Sequence, residues 1–174
     1  MSVIRVAVIG LGGVAERIHL PALAAVPGVE VVGACEPDAA RRDAVGRTFG
    51  ITRLYADAEA LLAASSPDVA VIGSPPDSHH RLSLLTLQHG AHVFCEKPFV
   101  DTPAAADEII AAADRAGRLV AVNNQYRFMP IYRRTRERIA AGDFGAPFLI
   151  NGWQQMFHPP SFESNWRAGL LKST

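Results

Sequence analysis

The sequence predicts an α/β domain with a doubly wound parallel sheet, because short apolar strands alternate with helical segments along most of its 174 residues. Several runs are nearly all apolar and rich in β-branched residues, which is typical of strands buried on both faces. These runs cover residues 3–9, 29–34, 69–72, 92–95 and 119–122. Helical segments are predicted between them, at about 14–25, 38–49, 57–64, 78–89 and 102–116.

Local signals mark the ends of several of these helices. Asp57 and Thr102 precede two of them as N-caps, and Gly90 and Gly117 close two others. Strands and helices that alternate at this spacing form right-handed βαβ units. We therefore expect one complete doubly wound α/β domain over residues 1–122.

The pattern changes after residue 122. A polar stretch leads into a helix predicted from Pro130 to about Ala141, followed by a glycine turn and a long aromatic strand over 146–157. Residues 123–174 are therefore expected to hold a crossover and the first elements of an incomplete α+β domain. A helix and one strand cannot bury a core, so strand 146–157 is expected to pair with a second copy or a partner chain.

Composition excludes several functional classes. The chain has 17 basic and 17 acidic residues and no basic block, which argues against nucleic-acid binding. No run approaches the roughly 18 apolar residues of a membrane span, and no signal peptide is apparent. Cys35 and Cys95 each end an apolar run, so reduced thiols in a cytoplasmic protein are expected. No residues stand at metal-ligand spacing, so no metal site is predicted.

The first chemical motif follows the opening strand, where residues 10–15 fit the pattern G-x-G-x-x-[GA]. Gly10 would make the tight turn, Gly12 would let the backbone approach a pyrophosphate, and the small Ala15 would allow close packing of helix on strand. The free amides of the new helix, which begins around Gly13 and Val14, would face the phosphates. A turn of this kind predicts a Rossmann domain, the alternative being a glycine turn without a ligand.

An acidic residue at the end of the second strand supports this interpretation. Glu36 lies 21 residues after Ala15, where a carboxylate can accept hydrogen bonds from the adenosine ribose. Since a carboxylate would repel a 2′-phosphate, Glu36 favours NAD over NADP. Arg41 and Arg42 lie close enough to weaken that preference, although both are also ordinary helix-surface residues.

A second motif, Glu96-Lys97-Pro98, follows the strand at 92–95 and should therefore border the cofactor crevice. Only two of the 17 basic residues are lysines, Lys97 and Lys172. A lysine ammonium beside a nicotinamide could polarise a substrate hydroxyl or carbonyl, or relay its proton. The alternative is an ordinary turn lysine.

A third polar cluster, residues 74–80, follows the strand at 69–72. Its prolines stop the strand, Asp77 or Ser78 is predicted to cap the next helix, and His79 and His80 fall in the first helical turn. Adjacent histidines on a helix point in different directions, which argues against a metal site. A structural or cofactor-facing imidazole is the better interpretation.

Together these motifs resemble the glucose–fructose oxidoreductase / inositol dehydrogenase (Gfo/Idh/MocA) family. The resemblance rests on the order and spacing of residues 10–12, 19–23, 74–79, 90–93 and 96–98. It implies NAD(P)-dependent oxidation or reduction at a carbon–oxygen centre of a sugar, polyol or related ring. It also implies that Lys97 contacts substrate and nicotinamide. The residues implied to bind the cofactor are Gly10, Gly12, Gly13, Val14, Ala15, Glu36, Ser74, Pro75, His79, Glu96, Lys97 and Pro98.

The chain departs from this family in length. Members run to about twice 174 residues and carry a C-terminal domain with an open-faced sheet, an Asp and a proton-transferring His, roughly D-x-G-x-H. No Asp-x-x-x-His follows Lys97. Three classes remain open: an oxidoreductase impaired in this short form, an enzyme completed by another chain, and a non-catalytic nicotinamide-binding or assembly module.

Overall fold

The computed structural model describes residues 2–153 of a chain that divides into two units, Met1–Phe128 and Met129–Thr174. The first unit is a six-stranded sheet in the order β3-β2-β1-β4-β5-β6, with every neighbouring pair parallel. The strands are β1 (Ile4–Ile9), β2 (Val29–Cys35), β3 (Leu54–Tyr55), β4 (Val69–Ile72), β5 (His92–Cys95) and β6 (Val120–Val122). The predicted doubly wound α/β fold is confirmed.

Helices connect the strands of this sheet. They are α1 (Leu20–Ala25), α2 (Ala39–Phe49), α3 (Ala58–Ser65), α4 (His79–Gln88) and α5 (Pro103–Ala116). A π-helical turn, Ala15–His19, precedes α1, where a single α-helix was expected. Pro21 has no N–H to complete an α-helical bond to residue 17, while Leu20 donates instead to the Ala15 carbonyl five residues back.

The core lies on both faces of the sheet, as a doubly wound fold requires. Along β1 the side chains alternate, so that Ala7 and Ile9 belong to one buried cluster and Val8 to another. The first cluster includes Leu61 of α3 and Ile109 of α5, and the second includes residues from α1 and α2. Both faces of the strands are therefore apolar, which explains their unbroken hydrophobic runs.

The capping predictions are confirmed at four helix ends. The Asp57 carboxylate accepts from the Ala60 amide at 2.9 Å, and the Thr102 hydroxyl accepts from the Ala105 amide at 3.2 Å. Gly117 follows α5 with a φ of +61°, and Gly90 follows the end of α4 with a φ of +73°, a left-handed conformation that favours glycine. These ends fix where the chain leaves each helix and returns to the sheet.

In the second unit the structure describes only residues 129–153. Helix α6 (Pro130–Ala140) forms as predicted and is followed by a turn. The strand predicted over 146–157 is wrong for residues 146–153, which have no regular secondary structure; residues 154–157 lie outside the described part. A strand needs a neighbour to complete its hydrogen bonds, and this segment pairs with no strand among the described residues. Phe148 and Trp153 are 98% and 93% exposed.

No helix in the described part of the chain is long and apolar enough to cross a membrane.

Candidate functional site

The carboxyl ends of the strands meet at one edge of the sheet and carry most of the predicted site residues. Backbone bonds continue beyond the strands there, from the Gly73 amide to the Ile9 carbonyl and from the Glu96 amide to the Ile72 carbonyl, at 2.8 and 2.9 Å. The Asn123 amide likewise donates to Cys95 at 2.8 Å. The loops after β1, β4, β5 and β6 therefore start at a common level around a crevice at the point where the strand order reverses.

Gly10 makes the tight turn that the motif predicts. Its φ is +88°, and a Cβ added there would lie 2.7 Å from the Ser74 amide nitrogen and 2.9 Å from the Ser74 Cα. The loops after β1 and β4 thus approach so closely that no side chain fits between them. Glycine is required at this position for both its conformation and its size.

Gly12 faces open space. No atom lies within 4 Å of a Cβ added there, and the helical turn begins at the next residue. Ala15 is fully buried against the core, so the turn packs tightly onto β1. First-turn amides have no intrahelical acceptor, and the space beside Gly12 is open, so this loop fits a pyrophosphate.

The two remaining residues of the turn pack against the protein. A Cβ added at Gly13 would lie 3.0 Å from the Arg17 guanidinium, which itself donates to the Gly13 carbonyl at 3.1 Å. The Val14 side chain lies 3.5 Å from the position of a Cβ added at Gly73. Gly13 and Val14 can therefore offer backbone amides to a ligand, while the Val14 side chain fills the space beside β4.

The Glu36 carboxylate is bound to the same loop. It is buried, and it accepts hydrogen bonds from the Leu11 amide at 3.0 Å and the Asp38 amide at 3.2 Å. The Arg41 guanidinium lies 3.5 Å from Oε1, whereas Arg42 donates to the Glu36 backbone carbonyl at 2.7 Å. A carboxylate retains further lone pairs beyond these bonds, which fits an acceptor for ribose hydroxyls at this point.

The loop after β4 is tied to the loop after β5 by His79. This ring is fully buried, with Nδ1 2.8 Å from the Pro98 carbonyl oxygen and Nε2 3.0 Å from the Ser74 carbonyl oxygen. Both ring nitrogens therefore face protein carbonyls. His80 pairs instead with Glu108 of α5 at 2.8 Å, on the protein surface.

The predicted side-chain cap of α4 is wrong. Ser78 is the residue before the helix, but its hydroxyl donates to the Pro75 carbonyl at 2.6 Å and contacts the Ser74 hydroxyl at 2.6 Å. The short 3₁₀ turn Pro76–Ser78, which includes Asp77, leads directly into α4. Because this turn runs straight into the helix, the Ser78 side chain is used to close the loop around Ser74 and Pro75.

The tripeptide 96–98 combines a buried acid with an exposed lysine. Glu96 is 6% exposed, Lys97 is exposed, and the peptide bond between Lys97 and Pro98 is cis. Oε1 of Glu96 accepts from His19 Nε2 at 2.9 Å and from Asn123 Nδ2 at 2.6 Å, while Oε2 accepts from the Lys97 amide at 3.2 Å. Burial raises the pKa of the Glu96 carboxyl, but the hydrogen bonds and attraction from its partners outweigh burial and hold that pKa below its ordinary value.

Both cysteines are buried thiols. Cys35 and Cys95 are free and buried at the ends of β2 and β5, and burial raises the pKa of both thiols to about 12. Among the residues that the structure describes, no three His, Cys, Asp or Glu side chains are grouped to hold a metal. A cavity of about 250 Å³ is lined by Arg5, Glu30 and residues 50–53, none of them a predicted site residue.

Two residues of the crevice were missed as members of a site. The sequence alone predicts no separate role for His19 and places Asn123 only in the crossover. Asn123 directly follows β6, so the rule that selected Glu36 and Glu96 at strand ends could have selected it too. His19 lies four residues after Ala15 on the turn that starts at the crevice, a spacing that puts both on one helix face.

Comparison with known proteins agrees with this geometry. Residues 4–124 match the profile of GFO_IDH_MocA, an oxidoreductase family with an NAD-binding Rossmann fold. The chain is 38% identical over 136 residues to a D-apiose dehydrogenase of Paraburkholderia graminis, covering 78% of this chain and 36% of that protein. It is 32% identical over 169 residues to an inositol 2-dehydrogenase of Rubrobacter xylanophilus, covering 94% and 47%.

Solved structures show the same relationship. The WlbA dehydrogenase from Bordetella pertussis, in complex with NADH and UDP-GlcNAcA, superimposes with a TM-score of 0.78 at 26% identity, over 83% of this chain and 41% of that one. The chain thus spans less than half the length of the relatives that it matches. The fold, the glycine turn and these matches establish that the chain belongs to the Gfo/Idh/MocA oxidoreductase family through its NAD-binding Rossmann domain.

Proposed function

We propose that this chain is the nucleotide-binding part of an oxidoreductase that transfers hydride at a carbon–oxygen centre of a sugar or polyol. The proposal rests on the contact between the glycine turn and Glu36, whose carboxylate accepts a hydrogen bond from the Leu11 amide at 3.0 Å. This contact places a ribose acceptor beside a loop that is open at Gly12. Relatives named as dehydrogenases of apiose and inositol support the substrate class.

Each predicted residue has a distinct task in this proposal. The amides that follow Gly12 bind the pyrophosphate, and Glu36 orients the ribose. The loops around Ser74–Pro75 and Glu96–Pro98 border the nicotinamide, which supplies hydride exchange with the substrate carbon. Lys97 is the proposed catalytic residue. In the reducing direction its ammonium donates a hydrogen bond and then a proton to the substrate oxygen, and in the oxidising direction its neutral amine accepts the proton that the hydroxyl loses.

We propose NAD as the preferred cofactor. Glu36 would repel a 2′-phosphate, and the two arginines nearby are already engaged. Arg41 lies 3.5 Å from the Glu36 carboxylate, and Arg42 donates to the Glu36 carbonyl. A 2′-phosphate would have to compete with those contacts for the guanidinium groups, so NADP is expected to bind more weakly.

Turnover is proposed to depend on more than residues 2–153. The boundary that we propose places the nucleotide domain at 1–122 and the start of the second domain at 123–174. Apolar side chains at Phe148, Leu149 and Ile150 are largely exposed, which supports pairing of segment 146–157 with a second copy or a partner chain. A non-catalytic nicotinamide-binding module with the same interface is the alternative. The buried free thiols support a reducing compartment such as the cytoplasm.

Calorimetric titration with NADH and NADPH tests the nucleotide site. We expect tighter binding of NADH, and loss of that binding in Gly12→Asp, whose carboxylate would occupy the pyrophosphate space. Ala104→Asp is the matched control, because it adds the same carboxylate at an exposed position in the first turn of α5, a helix that carries no predicted site residue. Glu36→Gln should narrow the ratio of NADH to NADPH affinity. Equal binding by wild type and Gly12→Asp would overturn the assignment.

Light scattering tests the proposed interface. If segment 146–157 pairs chains, Phe148→Glu combined with Ile150→Glu should convert an oligomer into monomers. An oligomer of unchanged mass would refute that role for the segment. A turnover screen with sugars and polyols then separates an enzyme completed by pairing from the non-catalytic alternative.

A further inference from the structure

Glu96 joins separate segments around the crevice through one buried carboxylate. Its partners come from the turn before α1, from the residue after β6 and from its own loop: His19, Asn123 and the Lys97 amide. His19 and Glu96 are 77 residues apart in sequence, and both are buried. The His19 ring also meets Phe94 of β5 edge-on, with ring centroids 5.9 Å apart.

The roles of donor and acceptor in this cluster are fixed by charge. An ionised carboxylate only accepts, so His19 must present a protonated Nε2 and Asn123 its amide nitrogen. Each of these bonds is charge-assisted, and together they compensate the carboxylate for its loss of water. The geometry leaves Oε2 for the Lys97 amide, at 3.2 Å.

The lysine is thereby held between two anchored neighbours. Glu96 is fixed by His19 and Asn123, and the Pro98 carbonyl contacts the buried His79 at 2.8 Å. Lys97 itself is exposed. A flexible four-carbon side chain reaches a defined point only when its backbone is fixed, and here both flanking residues are fixed.

We propose that Glu96, oriented by His19 and Asn123, is a positioning residue that fixes the backbone of Lys97 at the crevice. The inference rests on the proposed function, in which the Lys97 ammonium meets the nicotinamide and the substrate. The family resemblance implies a direct cofactor contact for Glu96. In this scheme its carboxylate is instead occupied by His19, Asn123 and the Lys97 amide, and it acts only through Lys97. A purely structural acid would stabilise the fold without affecting the lysine.

The first test measures the order of the Lys97 backbone without a ligand. In ¹⁵N relaxation of the full chain, the heteronuclear NOE of the Lys97 amide should be as high as in neighbouring strands, and Glu96→Gln should lower it. His19→Leu should have the same effect, whereas His19→Gln, which retains a donor near the same position, should restore the wild-type value. Glu108→Gln is the matched control, because it breaks the His80–Glu108 pair on the surface.

The second test measures whether Glu96 acts through Lys97. Lys97→Met is expected to weaken NADH binding about tenfold to a hundredfold, the scale of one hydrogen bond to a charged group. Glu96→Gln should weaken NADH binding by a similar factor, and the double variant should bind no worse than Lys97→Met alone. If the two losses instead multiply, Glu96 acts independently of Lys97 and the proposal is wrong.

The outcomes separate this inference from the proposed function. If the wild-type chain does not bind NADH, the proposed function fails, and the relaxation measurement alone decides whether Glu96 positions Lys97. An unchanged Lys97 NOE in Glu96→Gln overturns the inference even if NADH binds tightly. If Glu96→Gln fails to fold, Asn123→Ala is the second variant. It removes one half-buried donor to Glu96 and should lower the heteronuclear NOE of the Lys97 amide.

Discussion

Alanine at Gly10 is expected to destabilise the fold, whereas alanine at Gly12 is expected to weaken nucleotide binding and leave the fold intact. Gly10 has a φ of +88°, and its added Cβ would lie 2.7 Å from the backbone of Ser74. A left-handed L-residue costs roughly 1–2 kcal/mol, and overpacking against backbone adds about 1–3 kcal/mol. The free energy of unfolding should therefore fall by about 2–5 kcal/mol.

Gly12 differs in both respects. It lacks a positive φ, and nothing lies within 4 Å of an added Cβ, so Gly12→Ala should change the free energy of unfolding by no more than about 0.5 kcal/mol. The added methyl would, however, occupy the space into which the pyrophosphate must come. A tenfold loss of NADH affinity corresponds to about 1.4 kcal/mol, and we expect at least that.

Two measurements on the same pair of variants check this reasoning. Urea denaturation followed by circular dichroism gives the free energy of unfolding, and calorimetry gives the NADH dissociation constant. A large loss of stability in Gly12→Ala would show that the loop is packed as tightly there as at Gly10. Wild-type NADH affinity in Gly12→Ala would show that the pyrophosphate does not approach this residue, and the cofactor assignment would be refuted.

Three further predictions concern two buried polar groups and one exposed helix cap. The Thr86 hydroxyl is buried with no hydrogen-bond partner among the described residues. Thr86→Val should therefore raise the free energy of unfolding, measured by urea denaturation, by about 0.5–1.5 kcal/mol. If the free energy of unfolding instead fell by more than about 1 kcal/mol, the hydroxyl would be hydrogen-bonded. The pKa of Glu96 is lower in the folded protein than its ordinary value of 4.5, so its contribution to stability is complete above that pH and disappears as the pH falls through the lowered value. Denaturation at several acidic pH values should show a shallower decline in Glu96→Gln than in wild type, and parallel declines would contradict it. Asp57→Ala should cost about 1 kcal/mol, because the Ala60 amide loses its acceptor, whereas Asp57→Asn should cost less.

Those parts of the fold that depend on a local sequence pattern could be predicted. The five predicted strands are strands, since burial on both faces makes each a continuous apolar run. β3 was not predicted, because Leu54–Tyr55 is only two residues long and shows no period. Its partner is set by tertiary pairing with Ala34 and Cys35 of β2, which no local signal encodes. The prediction for residues 146–153 was wrong for the opposite reason, because their sequence pattern suits a strand but no pairing strand is present among the described residues.

The site could be predicted as far as the ends of strands and the glycine motif allow. The motif identified Gly10, whose close approach to Ser74 follows from the fold. The partner of Glu96 could not be predicted, since His19 is 77 residues away and the contact depends on how the turn before α1 packs beside β5. The two hydrogen bonds of His79 likewise depend on how the loops after β4 and β5 approach each other. The sequence therefore does not show that His79 links these loops.

Glu36 and Glu96 each order a loop by accepting a hydrogen bond from one of its backbone amides. Each directly follows a parallel strand, is buried, and accepts a backbone amide of a crevice loop, from Leu11 and from Lys97. A buried carboxylate is stabilised only if its oxygens accept hydrogen bonds. The carboxylate and the amides that it binds therefore hold one another in place. Burying the acids therefore orders the glycine turn at one end of the crevice and the lysine at the other. Replacing either acid by an apolar residue of similar size would leave these amides without an acceptor, and the crevice would lose its shape before the sheet lost its stability.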